Sequence, residues 1–143
     1  MHLLVDGYTS DSHFLKSGSI ILSLLDKIPA MIGMTKISEP VVKEYTDGAN
    51  KLDWGLSGFV LIAESHISIH TFPTRKYVNV DVFSCKTFDH KTATQKIAEI
   101  FSLYEYDFTV LQRGIEYLSD SEGLLSINKD RLYLTDKGEG EYE

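Results

Sequence analysis

Apolar and polar positions recur along this chain with two periods, near two and near 3.6, and the switches between them predict the order of its elements. Leu3, Leu4 and Val5 form a short apolar run that stops at Asp6-Gly7, as a strand does before a turn. From about Asp11 to Ile28 the residues Phe14, Ile21, Leu22, Leu25 and Ile28 fall at helical spacing and Pro29 follows, which predicts an amphipathic helix. Ile37, Val41 and Val42 are interrupted by Pro40, so a strand over about 35–45 is bent or lies at an edge, and the stretch from Thr46 to Asn50 turns the chain. Ser57 to Ala63, His66 to Phe72 and Tyr77 to Cys85 are the densest β-forming stretches and predict three adjacent strands. Asp89 is suited to cap a second helix whose inner face carries Ala93, Ile97, Ile100, Phe101 and Tyr104. Tyr106, Phe108 and Val110 then alternate with Asp107, Thr109 and Leu111 as a last strand. This order predicts an α+β fold, an antiparallel sheet with helices packed on one face.

Composition narrows the functional classes. A chain of 143 residues with 43% hydrophobic content has the size of one domain with a single core. Its net charge of -7, with the basic residues scattered, argues against an electrostatic grip on nucleic acid. No run approaches the roughly 20 apolar residues of a membrane-spanning helix, and Met1 to Asp6 does not read as a signal segment, so a soluble cytoplasmic protein is expected. The single Cys85 makes no internal disulfide, and its thiol is either core filler or chemistry. Beyond Lys129 the chain becomes charged, and about 124–143 is expected to be a mobile tail without catalytic work.

The chemistry lies in the centre. With period-two alternation His66, Ser68, His70 and Phe72 point to one face, and Ile67, Ile69 and Thr71 to the other. Taken singly, His66 or Ser68 reads as an exposed polar residue on a solvated sheet face; together they make a face that can react. A zinc site built from His66, His70 and Cys85 fails on spacing, because four residues of strand separate the histidines by about 13 Å, against about 6 Å of rise on a helix. A Ser-His hydrolase is disfavoured because Ala63-Glu64-Ser65-His66-Ile67 lacks the Gly-x-Ser-x-Gly elbow.

Ala63-Glu64-Ser65-His66, followed by Ile67-x-Ile69-His70-Thr71 and then Val80-Asp81-Val82-Phe83-Ser84-Cys85, resembles the bacterial and archaeal S-adenosylmethionine decarboxylase proenzymes, as does the opening His2 to Tyr8. The resemblance implies a proenzyme that cuts itself between Glu64 and Ser65 into 1–64 and 65–143, with Ser65 converted to a pyruvoyl group and neither metal nor pyridoxal phosphate required. Such a ketone forms a Schiff base with an amine and accepts electrons as carbon dioxide leaves. By the same resemblance His70 assists the elimination step of self-processing, Ser57 helps processing, and Cys85 returns a proton to the substrate carbon. Glu64 contributes its carbonyl at the cut. The implied assembly is a homodimer of cleaved protomers whose sheets stack as an αββα sandwich, and the implied product is the aminopropyl donor for spermidine synthesis.

The chain departs from the family pattern in front of the processing serine. Where relatives commonly carry Phe-x-Pro-x-Gly, it has Lys51-Leu52-Asp53-Trp54-Gly55, and the aromatic after the second histidine is Phe72. Trp54 and Phe72 are therefore the candidates for stacking on the substrate. Two alternatives remain: a pyruvoyl-dependent decarboxylase for arginine or ornithine on the same scaffold, and an unprocessed ligand-binding protein or partner subunit.

Overall fold

The computed structural model describes residues 1–46, 50 and 52–113. The expected tail at 124–143 and part of the Thr46 to Asn50 turn lie outside them. Seven strands and two helices follow in the order β1 (His2–Thr9), α1 (Gly18–Met31), β2 (Thr35–Lys36), β3 (Val41–Tyr45), β4 (Gly55–Ala63), β5 (Ser65–Phe72), β6 (Tyr77–Ser84), α2 (His90–Ile100) and β7 (Leu103–Leu111). They form one sheet in the order β2-β4-β5-β6-β1-β7, with β3 also on β4 and every pairing antiparallel. The expected α+β architecture is the observed one.

Alternation decides which face is covered. Leu3, Val5, Val60, Ile62, Ile67, Ile69, Val78, Val80 and Val82 are almost wholly buried and join Ile21, Leu25 and Ile28 of α1 and Ala93 and Ile97 of α2 in a single core. Each of the large aliphatic side chains gains about 1.5–3 kcal/mol from burial, which sets register as well as stability, since a one-residue slip would turn this set out of the core. Gly58 lets α1 approach closely, because a Cβ there would sit 2.7 Å from Leu25 Cδ1. The helix-free face carries His2, Asp6, Tyr8, Ser57, Phe59, Leu61, Ser68, His70, Asn79 and Asp81, none of them buried.

Several expectations are corrected in detail. The first helix begins at Gly18, capped by Ser17, whose hydroxyl accepts from Ile20 N, and Phe14–Lys16 forms a separate 3-10 turn. Pro29 lies inside α1, in its last turn, where it is buried and only one backbone bond is forgone. Leu22 is 44% exposed and belongs to the outer side of α1. Asp89 does cap α2, accepting from the backbone N–H groups of Lys91 and Thr92, and these bonds with the Thr92 hydroxyl hold its carboxyl below the usual range. Tyr104 is on β7 and exposed, because the helix stops at Ile100 with Phe101 as its buried end. Pro40 separates β2 from β3 along one edge of β4, so the expected interrupted edge strand is present.

Candidate active site

The β4-β5 hairpin carries a pair of candidate reactive side chains at each end. At its open end Ser57 lies directly across from His70, and the Ser57 hydroxyl is 2.9 Å from His70 Nδ1. The bond occupies one ring nitrogen and leaves Nε2 available for proton exchange. Thr71 fixes this end from beneath: its buried hydroxyl donates to Leu15 O and accepts from Leu56 N, both at 2.9 Å. Gly55 is required beside it, since a Cβ would fall 1.7 Å from Thr71 O. A cavity of about 400 Å³ opens over the pair, bordered by Val41, Lys43, Phe59 and Ser68.

At the closed end Glu64 forms the turn and Ser65 begins β5 with φ of 130°. That region is sparsely populated by residues with a side chain and costs of order 1–3 kcal/mol. The strain therefore falls on the residue that follows the expected cut. The Ser65 hydroxyl is 3.5 Å from Cys85 Sγ, and Cys85 N–H donates to the Glu64 carbonyl at 3.3 Å. Cys85 lies just past the end of β6, not within it, which frees its N–H to turn toward Glu64. The bend at 84–86 is held by Lys86 N donating to Ser84 Oγ at 3.1 Å and by Ser84 N donating to Met1 O at 3.0 Å.

The two pairs are not in contact within one protomer. Five residues of β5 separate Ser65 from His70, about 17 Å at strand rise. Phe72 and Trp54 belong to the His70 end. Phe72 meets Tyr77 at 6.1 Å between ring centroids, and the Trp54 indole N–H donates to Thr74 Oγ1 at 2.8 Å, beside an Asp53 to Arg75 ion pair. His66 does not join His70; its ring packs on Phe83, which also meets His2 and lies 4.1 Å beneath the Arg113 guanidinium. Burial holds the His2 imidazole below its usual pKa, opposed by Asp81. A second cavity of about 370 Å³ is bordered by Asp6, Tyr8, Tyr77, Glu105 and Asp107, and burial, with Asp6 beside it, raises the Tyr77 phenol.

Sequence reasoning missed three contributors: Thr71 as the tie beneath His70, Asn79, which bonds Asp6 next to His70, and Lys86, which pairs with Glu64 at 3.4 Å. Only Lys86 carried a local signal, as a cation immediately after Cys85. Asn79 and Asp6 are 73 positions apart and are joined by strand pairing alone.

Comparison with known proteins bears on the family and the fold. The S-adenosylmethionine decarboxylase family model matches residues 1–114. An S-adenosylmethionine decarboxylase proenzyme of Archaeoglobus fulgidus is 31% identical over 114 residues, 79% of this chain and 96% of the relative. One from a Hydrogenobaculum species is 33% identical over 141 residues, 96% of this chain and 92% of the relative. The crystal structure of the adenosylmethionine decarboxylase from Aquifex aeolicus superposes with a TM-score of 0.65 at 32% identity, covering 80% of this chain and 89% of that one. A match over most of the chain, in sequence and in fold, establishes that this protein belongs to the S-adenosylmethionine decarboxylase family.

Proposed function

We propose that the chain is a proenzyme that cuts itself between Glu64 and Ser65 and that the cut form decarboxylates S-adenosylmethionine. The observation that carries this reading is the closed end of the hairpin: a strained Ser65 whose hydroxyl faces Cys85, with the preceding carbonyl held by Cys85 N–H. Addition of Ser65 Oγ to the Glu64 carbonyl carbon puts negative charge on an oxygen that already accepts a hydrogen bond, a preorganised arrangement. The C–N bond then breaks to give an ester. Loss of the Ser65 Cα proton to a base expels the Glu64 carboxylate, and one water releases ammonia and leaves the pyruvoyl group. Once formed, that group supplies an electron sink for the bond to carbon dioxide. His70, oriented by Ser57, is the base, and Cys85 protonates the substrate carbon.

His70 and Ser65 lie too far apart to act within one protomer, so the reading includes a homodimer. The helix-free face exposes Phe59, Leu61 and Tyr8, each more than 40% accessible, and two such faces stacked about a two-fold axis make an αββα sandwich. In that sandwich the Ser57 and His70 end of one copy covers the Ser65 and Cys85 end of the other, while Phe72 and Trp54 line the substrate. The compartment proposed for it is the cytoplasm, where reducing conditions keep a proton-donating thiol free.

Intact mass of fresh protein tests the cut: two fragments, the second lacking ammonia at its start, and an uncut chain with Ser65→Ala. Release of labelled carbon dioxide from S-adenosylmethionine tests the substrate. The acidic cavity at Asp6, Glu105 and Asp107 favours a second reading, decarboxylation of arginine or ornithine, whose cationic side chains it would attract. Competition among the three substrates separates the two.

A further inference from the structure

We infer that Lys86 is a positioning residue for self-cleavage: with Cys85 N–H it forms a small anion cradle around Glu64, which steadies the charge that appears at the cut and then holds the new chain end. The inference rests on the cleavage reading above.

Two donors converge on one residue. Cys85 N–H reaches the Glu64 carbonyl oxygen at 3.3 Å, and Lys86 Nζ lies 3.4 Å from the Glu64 side-chain carboxylate. Their backbone is fixed before any reaction, because Lys86 N is tied to Ser84 Oγ and Ser84 to both the nitrogen and the oxygen of Met1. The backbone donor held in this way, Cys85 N–H, needs no reorganisation as charge develops.

The charge on Glu64 rises through the reaction. The intact chain carries one negative charge there, on the side chain. Addition of Ser65 Oγ creates an oxyanion on the former carbonyl oxygen, and elimination leaves an α-carboxylate, so the finished first fragment ends in a residue with two negative charges. In a protein of net charge -7 that accumulation is opposed by the rest of the surface. Lys86 makes the ion pair recorded for Glu64 among the described residues, and its flexible stem lets the ammonium follow the charge from side chain to new terminus. The side chains are 63% and 39% exposed, so the effect is modest and sensitive to salt.

The experiment is a time course of self-cleavage, followed by intact mass, in full-length wild type, Lys86→Met, Lys86→Arg and Lys86→Glu at low and at molar salt. Exposed ion pairs are worth up to about 1 kcal/mol, so Lys86→Met is expected to slow cleavage by up to about fivefold at low salt. Lys86→Glu slows it further, Lys86→Arg restores it, and molar salt narrows the differences while thermal unfolding stays unchanged. Equal rates for wild type and Lys86→Met at low salt, or a slowing that Lys86→Arg fails to rescue, would overturn the role of Lys86 and leave the cleavage reading intact. A wild-type chain that never cuts would overturn both.

Discussion

The two ends of the β4-β5 hairpin differ in what their residues are prepared to do. The closed end joins a strained serine, a thiol and a held carbonyl, the arrangement that the proposed cut would use. The open end joins a histidine to a serine over a buried threonine, an arrangement suited to the proton exchange proposed for His70. One strand carries both, and its rise keeps them about 17 Å apart. On the proposed reading a protomer holds two halves of a site, and their meeting depends on a second copy.

The comparison breaks most completely at Ser65. Ser65→Ala removes the hydroxyl at the closed end and is expected to abolish cleavage with the fold retained; intact mass and circular dichroism check the two parts.

His70→Ala is next, slowing cleavage by about 10²–10⁴, the range for loss of a positioned acid or base. Mixing decides whether the ends meet between copies. Co-expressed with the Ser65→Ala chain, the His70→Ala chain should be cut, because its own Ser65 faces a partner's intact His70. If His70 acted within its own chain, neither would be cut, and mass spectrometry of the mixed dimers distinguishes the cases.

Cys85→Ser should keep the backbone N–H on Glu64, so the chain still cuts, but replaces the proton donor and lowers turnover by about 10². A cleaved variant with wild-type turnover would remove the thiol from the reaction.

The smallest effect sharpens the comparison. Thr71→Val deletes the hydroxyl beneath His70 and leaves buried partners unsatisfied, a loss of about 1–3 kcal/mol in denaturant unfolding. Among the steps of processing it should slow the proton-transfer stage, so that the ester accumulates, more than the initial addition at Ser65.

Much of the fold is legible in the sequence, and the reasons are local. The hairpin could be read because its inward aliphatic residues alternate with His66, Ser68 and His70, and the second helix because Asp89 offers a carboxylate ahead of a periodic run. Two local signals mislead for physical reasons. Pro29 reads as a stop, yet a proline in a final turn forgoes a single bond and gains burial. Tyr104 fits the helical period, but Phe101 ends the helix and the chain re-enters the sheet.

The sequence by itself determined the type and order of the elements, the face that must be buried and the motif by which Ser65, His70 and Cys85 are candidates for the chemistry, because periodicity and short motifs are written in neighbouring residues. Only the tertiary structure decided that Cys85 turns its N–H onto Glu64, that Lys86 and Thr71 support the two ends, and that Ser65 and His70 stand apart. Those facts depend on strand register and on contacts between residues as far apart as Leu15 and Thr71, and a linear pattern carries no record of which distant backbone a side chain will meet.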